Sequence, residues 1–374
     1  MTRFSSENQF ILDCLRSHFQ SNLELEVDYS HSSLNWDHIL ESAGSNRVVP
    51  LLYLALGSSQ APRALKEEFD FNALQSLKLA AELRTVLAFL DVPAIPFKGP
   101  LLAIQAYGNI SYRQFDDLDL LIYREDFPFV KAALIERGYL MIDKLSPHQE
   151  AAFLKSRHHC QFLNPERGIV LEVHWQIAPK IYSFGLDISD IFERAEKVKV
   201  FGQEILTFSR EDTLLALSEH GTRHYWSRLA WVCDIAKLCQ LDLDWDETLN
   251  RAKCLGIERA TLLAVALARD ILGANAPNLP SYDVDKAVQP LAREVEKRLF
   301  SKFSQTDPKT ERFYIRARER RMDRLRYYVY RAFIPTQEDW TCINLPDTLF
   351  PFYSLVRPVR LINRYGSKVV KWLR

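Results

Sequence analysis

Apolar residues at Leu79, Leu83, Val86, Leu87 and Leu90 recur at the spacing of one helical face and predict a helix over 72–90. That helix stops at the Asp91-Val92-Pro93 break, because the residue before a proline is pushed out of the helical region. Upstream, residues 6–58 read as helical: Phe10, Leu12, Leu15 and Phe19 roughly follow the helical period, and Trp36, Ile39 and Leu40 open a second amphipathic segment. Past the break the pattern changes. Ala94-Ile95-Pro96-Phe97 is a short extended run, Lys98-Gly99-Pro100 a turn, and 101–107 a small helical patch. Leu118, Leu120, Leu121 and Ile122 form a second strand, ended by Arg124-Glu125-Asp126, and a helix follows over 127–137. Strands at 160–163 and 169–175 flank the loop Asn164-Pro165-Glu166-Arg167-Gly168, and a further hairpin, 197–201 with 204–208, turns at Gly202-Gln203.

Helices dominate the rest. Ser209, three residues before Asp212, resembles a capping box and opens a helix over 213–224. Further helical patterns cover 229–240, 245–255 and 257–272, and an arginine-rich helix runs through 309–331. The last segment carries Pro335, Pro346, Pro351 and Pro358 and reads as a tail; no internal repeat is visible. The pattern divides the chain into an N-terminal helical region (1–92), a mixed α/β core (93–208), a helical region packing on that core (209–300), and the arginine-rich helix with its proline-containing tail (301–374). An α+β fold is expected, with a small mixed sheet between helical flanks.

Composition narrows the function classes. At 374 residues, with 47% hydrophobic and 26% charged residues, the chain can bury a sizeable core, which excludes disorder and low-complexity behaviour. The 48 basic and 48 acidic residues cancel, so no global field draws the chain toward nucleic acid or an anionic membrane, and neither partner is expected. The six cysteines show no metal-binding spacing and read as buried free thiols of a reducing compartment. With no signal-peptide pattern and no apolar run near the ~20 residues of a membrane span, a cytoplasmic location is expected.

The chemistry concentrates in Arg113-Gln114-Phe115-Asp116-Asp117-Leu118-Asp119-Leu120-Leu121-Ile122. Alternation along a strand puts Asp117 and Asp119 on one face, side by side at the start of an apolar strand. Like charges so close cost free energy unless a cation offsets them, and Mg²⁺ takes one or two carboxylates together with waters and substrate phosphates. In Ile169-Val170-Leu171-Glu172-Val173-His174-Trp175, Glu172 and His174 share a face, and if this strand lies beside the first, Glu172 completes a triad of acids. The alternative is an exposed turn pair and an unrelated strand glutamate. Lys98-Gly99, between a strand and a helix, stands where a backbone turn approaches a polyphosphate and a lysine acts on it as a point charge.

These residues resemble a known family. Phe97-Lys98-Gly99-Pro100-Leu101-Leu102, Tyr107, and Arg113 leading into Asp117-Leu118-Asp119-Leu120-Leu121 are similar to the signature of the bacterial uncharacterised nucleotidyltransferases, members of the DNA polymerase β-like superfamily. Leu171-Glu172-Val173-His174-Trp175 resembles that family's third-carboxylate strand, and His220-Gly221-Thr222-Arg223-His224 with Trp226, Leu229, Trp231 and Asp234 its helical segment. The resemblance implies Asp117, Asp119 and Glu172 as catalytic metal ligands for Mg²⁺, with Mn²⁺ the alternative. It implies Lys98, Gly99, Arg113, His174, His220 and His224 around a nucleoside triphosphate, with Glu172 orienting or deprotonating an acceptor hydroxyl. The implied reaction moves a nucleoside monophosphate to a hydroxyl of an unidentified small molecule or peptide and releases pyrophosphate. Two departures stand out: Gly99-Pro100 replaces the superfamily's Gly-Ser or Gly-Gly, and the third acid is Glu rather than Asp.

Other features are read more plainly. His220 and His224, four apart, share a helix face but lack a third soft ligand, so packing on the sheet or lining a nucleotide pocket is expected. Arg228 is expected to pair with Asp234, with a plain surface pair as the alternative, and His158-His159 to sit on a solvated strand edge, with a pocket role as the alternative. The arginines between Arg312 and Arg331, interleaved with Tyr314, Tyr327, Tyr328 and Tyr330, suit either a solvated face pairing with acidic neighbours, the favoured reading, or an RNA-binding surface. The rivals to the enzyme reading are a non-catalytic nucleotide-binding scaffold of the same fold and an RNA-binding or RNA-modifying protein.

Overall fold

The structure is a computed structural model. It describes residues 4–20, 34–143, 147–182, 184–277, 284–301, 307–336 and 352–372, together with 279, 281, 339, 342, 343, 345, 346 and 349. Residues 21–33, within the first predicted helical stretch, and Pro351 lie outside the described residues.

Three short helices, α1 (Ser6–Phe19), α2 (Trp36–Ser45) and α3 (Val49–Leu56), precede the long α4 (Arg63–Phe89). α4 starts well before the predicted 72. Its first turns bury only Leu65, with Phe69 stacked on Tyr53, and their other positions are exposed and carry the i,i+4 ion pairs Arg63–Glu67 and Lys66–Asp70, so the apolar stripe is too sparse there to announce the helix. Strand β1 (Ala94–Phe97) leads through the Lys98-Gly99 turn into α5 (Gly99–Tyr107), then β2 (Asp117–Ile122) and α6 (Phe127–Glu136). β3 (Leu140–Met141) and α7 (Pro147–Ser156) were not foreseen; β4 (His159–Asn164) and β5 (Ile169–His174) follow as predicted.

The main sheet has the order β1-β2-β5-β4-β3. β2 and β5 are parallel and the other neighbours antiparallel, so it is a mixed sheet. Even-numbered residues of β2 (Leu118, Leu120, Ile122), with Leu171 and Val173 of β5, join a core with α4 and α6. The odd face carries Asp117 and Asp119 at one end and Leu121 beyond them, in a second core shared with Phe208 and Leu215.

α8 (Ile188–Glu193), also unforeseen, precedes a two-stranded ribbon of β6 (Glu196–Val200) and β7 (Gln203–Thr207). Its turn has Phe201 at φ 48° and Gly202 at φ 81°, the left-handed pair of a tight hairpin matched to strand twist. Ser209 then accepts a hydrogen bond from the Asp212 amide and starts α9 (Arg210–Arg223), as its capping pattern predicts. α10 (Leu229–Leu238), α11 (Trp245–Leu255), α12 (Glu258–Leu272) and α13 (Val288–Glu296) complete the helical layer. Phe10 and Leu52 share one core with Val232, Leu263 and Leu291, so the N-terminal helices and those after residue 209 bury one another.

The arginine-rich segment is two helices rather than one, α14 (Pro308–Ala317) and α15 (Arg321–Phe333). The break falls where buried Arg318 pairs with Asp323 and its carbonyl accepts from Arg324 Nε at 2.7 Å. Arg316 pairs with Glu294, Arg326 with Asp323 and Arg331 with Glu311, while Arg320 donates to the carbonyls of Lys253 and Cys254. These arginines face acids and carbonyls of the same chain. The proline-containing tail is also corrected, because Tyr353–Trp372 forms helix α16 with Pro358 inside it. Tertiary anchors outweigh the lost backbone donor there: the Tyr353 hydroxyl donates to the Ile343 carbonyl at 2.6 Å, and Arg357 reaches Asp339 at 3.0 Å. Of the cysteines, 14, 160, 233 and 239 are buried, whereas Cys254 and Cys342 are exposed, against expectation. Among the described residues, no helix is long and apolar enough to cross a membrane.

Candidate active site

Strand pairing builds the site. In the parallel β2–β5 register Asp119 lies opposite Glu172, and Leu121 opposite His174, so side chains two residues apart on each strand share one face. Asp119, Glu172 and His174 each offer a ligand atom within 4.8 Å of the other two. His174 Nε2 lies 3.1 Å from Asp119 Oδ1 and 3.2 Å from Glu172 Oε2. A carboxylate only accepts, so this nitrogen carries a proton. Asp117 sits two residues before Asp119 on the same face and is partly buried.

β4 adds a second row. It runs antiparallel to β5 with His159 opposite His174 and Gln161 opposite Glu172, and Gln161 Nε2 donates to Glu172 Oε1 at 2.7 Å. His158 and His159 therefore do not sit on a solvated edge. His158 is buried, and the His159 ring stacks on His174 with centroids 4.9 Å apart. The signal was legible: strand alternation across the 164–169 hairpin already pairs these positions.

The Lys98-Gly99 turn closes the site from β1. Lys98 Nζ lies 3.0 Å from Asp119 Oδ1. Lys98 itself has φ 58° and Gly99 φ 41°. A left-handed lysine costs on the order of 1–3 kcal/mol and persists only where its surroundings over-determine it. A Cβ on Gly99 would meet the Asp117 carbonyl oxygen at 3.4 Å, an ordinary contact, so the demand for glycine there comes from its φ.

The charges are unequal. Burial, then repulsion from Asp119, pushes Asp117 up to about 6, although Lys98 and Arg47 pull the other way. Burial alone would raise Asp119 too, but Lys98 and His174 outweigh it and hold its carboxyl below the ordinary range. Glu172 behaves likewise: hydrogen bonding from His174 and Gln161 overcomes burial and keeps it well below the usual carboxylate range. His174 is raised, its two carboxylate partners outweighing its burial. Asp117 is thus the strained member of the set.

That strain is measurable. With its folded value above the ordinary 3.8, Asp117 makes the native state bind protons more tightly than the unfolded chain, so stability falls as pH rises from about 4 through about 6. Asp117→Asn is expected to stabilise the metal-free protein by up to about 3 kcal/mol at pH 7.5, with little change at pH 4. Urea denaturation at both pH values reads this out, and an unchanged midpoint at pH 7.5 would contradict it.

The remaining sequence-predicted residues lie around this centre. Arg113 grips Asp234 through two hydrogen bonds, Nε–Oδ1 at 2.9 Å and Nη2–Oδ2 at 3.0 Å, and the Tyr107 hydroxyl adds a third at 2.7 Å. The partner of Asp234 is therefore Arg113 and not Arg228, whose guanidinium stands over the Trp231 ring. His220 and His224 pack 4.6 Å apart, and the His220 ring meets Trp231 edge-on at 5.0 Å. Burial, then the neighbouring His224, keeps His220 well below the ordinary histidine range; burial, then Arg223, lowers His224 to about 3. Neither belongs to a metal-capable cluster among the described residues.

A mixed sheet between helical layers, with paired acids on adjacent parallel strands and a lysine–glycine turn beside them, makes this an α+β protein. The chain belongs to the family described as uncharacterised nucleotidyltransferase, which it matches over residues 32–273. Membership supports a transferase. Among solved structures it is similar to an antigenic nucleotidyltransferase-like protein from Paracoccidioides brasiliensis, at 15% identity and a TM-score of 0.32, over 55% of this chain and 94% of that one. No curated protein matches it.

Proposed function

We propose that the chain is a Mg²⁺-dependent nucleotidyltransferase, with Mn²⁺ as the alternative ion, which moves the nucleoside monophosphate group of an NTP to an acceptor hydroxyl and releases pyrophosphate. The observation that carries this reading is the register of β2 against β5, which brings Asp119 and Glu172 together beside Asp117 and the Lys98-Gly99 turn. The donor set suits a hard divalent cation: Asp119 and Glu172 offer carboxylate oxygens within 4.8 Å of each other, and Asp117, on the same strand face though outside that group, carries a repulsion still to be offset. Such an ion, when bound, neutralises charge on the transferring phosphorus and favours the attacking oxygen.

The chain's own groups divide the remaining tasks. Lys98 supplies a point charge for the triphosphate, and the Gly99 turn lets backbone approach it at the start of α5. Pro100 brings no N–H there, so phosphate contact falls to Lys98 and the neighbouring amides. Glu172, held ionised well below neutrality, is a weak base; it suits orienting an acceptor hydroxyl or ligating a cation better than removing a proton. His174 locks Asp119 and Glu172 to each other. Arg113 is spent on Asp234 and acts as a positioning residue that fixes the entry to β2. The acceptor is a small molecule or peptide.

Thermal shift with Mg²⁺ and each of the four NTPs tests binding, and release of labelled pyrophosphate in a metabolite pool tests transfer. Protons compete with the cation for Asp117, so Mg²⁺ affinity is expected to fall by about tenfold per unit below pH 6. Nucleotide binding without pyrophosphate release would leave a scaffold of the same fold.

A further inference from the structure

Three histidines at the start of β4 and the end of β5 form a cluster in which only His174 has a part in the carboxylate centre. His158, His159 and His174 each place a ring nitrogen within 4.8 Å of the other two. His159 Nδ1 lies 3.0 Å from His158 Nε2 and 3.3 Å from its Nδ1. The shorter contact suits a hydrogen bond between the two rings, and both lie close to the ~3.3 Å that separates two donors of a tetrahedral zinc at ~2.0–2.1 Å from nitrogen, so a small ring adjustment lets both imidazoles reach one ion. The third imidazole carries the decisive atom. His174 is 3% exposed, its Nε2 faces Asp119 and Glu172, and its Nδ1 is buried with no hydrogen-bond partner.

A buried, unpartnered ring nitrogen is costly, and structures rarely leave one without a reason. Its surroundings supply the reason. A histidine that ligates a metal through one nitrogen nearly always donates its other N–H to a carboxylate, which fixes the ring and raises its basicity. His174 meets that pattern twice over, with Asp119 and Glu172 on Nε2. A cation on Nδ1 takes the place of a proton there and leaves the Nε2–H contact intact.

We propose that His158, His159 and His174 form a transition-metal site, of the three-imidazole kind that takes Zn²⁺, next to the carboxylate centre and joined to it through His174. Three nitrogen donors favour zinc or a similar borderline ion over Mg²⁺, which prefers oxygen. The ion ties the start of β4 to the end of β5 and holds His174 in the orientation that pairs Asp119 with Glu172. The proposal rests on the imidazole geometry and stands apart from the nucleotidyl-transfer reading.

The test uses the full chain, stripped with chelator, reloaded with Zn²⁺ or Co²⁺ and dialysed. Metal content by mass spectrometry is expected to be one Zn²⁺ per chain. The Co²⁺ form should show the intense visible bands of a four-coordinate nitrogen site. His159→Gln and, separately, His158→Gln should each weaken retention by at least about tenfold, with circular dichroism confirming that the variants fold. Asp117→Asn should retain zinc fully while losing its thermal response to Mg²⁺. Zinc absent from the wild type, or retained equally by both histidine variants, overturns the proposal. An unaltered Mg²⁺ response in Asp117→Asn counts against the carboxylate reading alone and leaves the zinc result standing.

Discussion

Asp119→Asn should lower pyrophosphate release by on the order of 10³-fold, the scale on which a preorganised charge at a phosphoryl-transfer centre acts. Asp119 is where three things meet. It faces Glu172 across the parallel pair, takes the Lys98 ammonium at 3.0 Å and takes His174 Nε2 at 3.1 Å. The asparagine keeps the size and one acceptor oxygen but drops the charge that both cations answer. A stability loss should accompany the kinetic one, because Lys98 and His174 then lose the carboxylate they share and keep only the more distant Asp117 and the His174-bound Glu172 to answer their charge. The two effects separate by measurement. Pyrophosphate release with saturating Mg²⁺ and NTP, at a temperature where the variant is fully folded, reports the chemical defect alone. A variant within tenfold of the wild type would place the cation elsewhere and remove Asp119 from the centre. Glu172→Gln makes the comparison sharper: if Glu172 orients rather than deprotonates, its loss should be smaller and its pH–rate profile should keep the wild-type shape.

The centre was legible in the sequence because it depends on alternation. Asp117 with Asp119, and Glu172 with His174, are i and i+2 on strands whose apolar residues announce them, and the capping pattern at Ser209 marked α9 in the same local way. What local pattern could not carry was cross-chain partnership. Asp234 looked ready for Arg228, six residues away, yet it is taken by Arg113, 121 residues away, because Tyr107 and the turn before β2 deliver that guanidinium to α10. The His158-His159 pair looked like an edge when its strand was read alone, and only pairing across the hairpin, which sets His159 opposite His174, reveals its burial. The helices at α8, α13 and α16 were missed for a related reason. Their short or proline-interrupted sequences have weak intrinsic preference, and partners elsewhere hold them, as Asp339 does for Arg357 and Arg360.

Asp234→Ala should cost about 3–5 kcal/mol, the range for breaking a buried ion pair from one side. Asp234 is fully buried and satisfied by Tyr107 and by both arms of the Arg113 fork, so its removal leaves a guanidinium with nowhere to go. Arg113 joins the turn before β2 to α10, and α10 belongs to the core that also contains Phe10 and Leu263. The pair thus fastens the sheet that carries the acids to the helical layer. Replacing both partners by apolar residues, Arg113→Met with Asp234→Leu, should recover part of the loss, because the larger penalty lies in the orphaned charge, while the buried Tyr107 hydroxyl still loses its acceptor. Urea denaturation of the two single variants and the double variant gives the coupling directly. A single variant that loses less than about 1 kcal/mol would mean that water reaches Arg113 and that the pair is a surface contact. Activity supplies the second readout. The charge of Arg113 also acts toward Asp119, so the double variant should fold like the wild type yet bind Mg²⁺ with altered affinity, a change that a purely structural fastening would not produce.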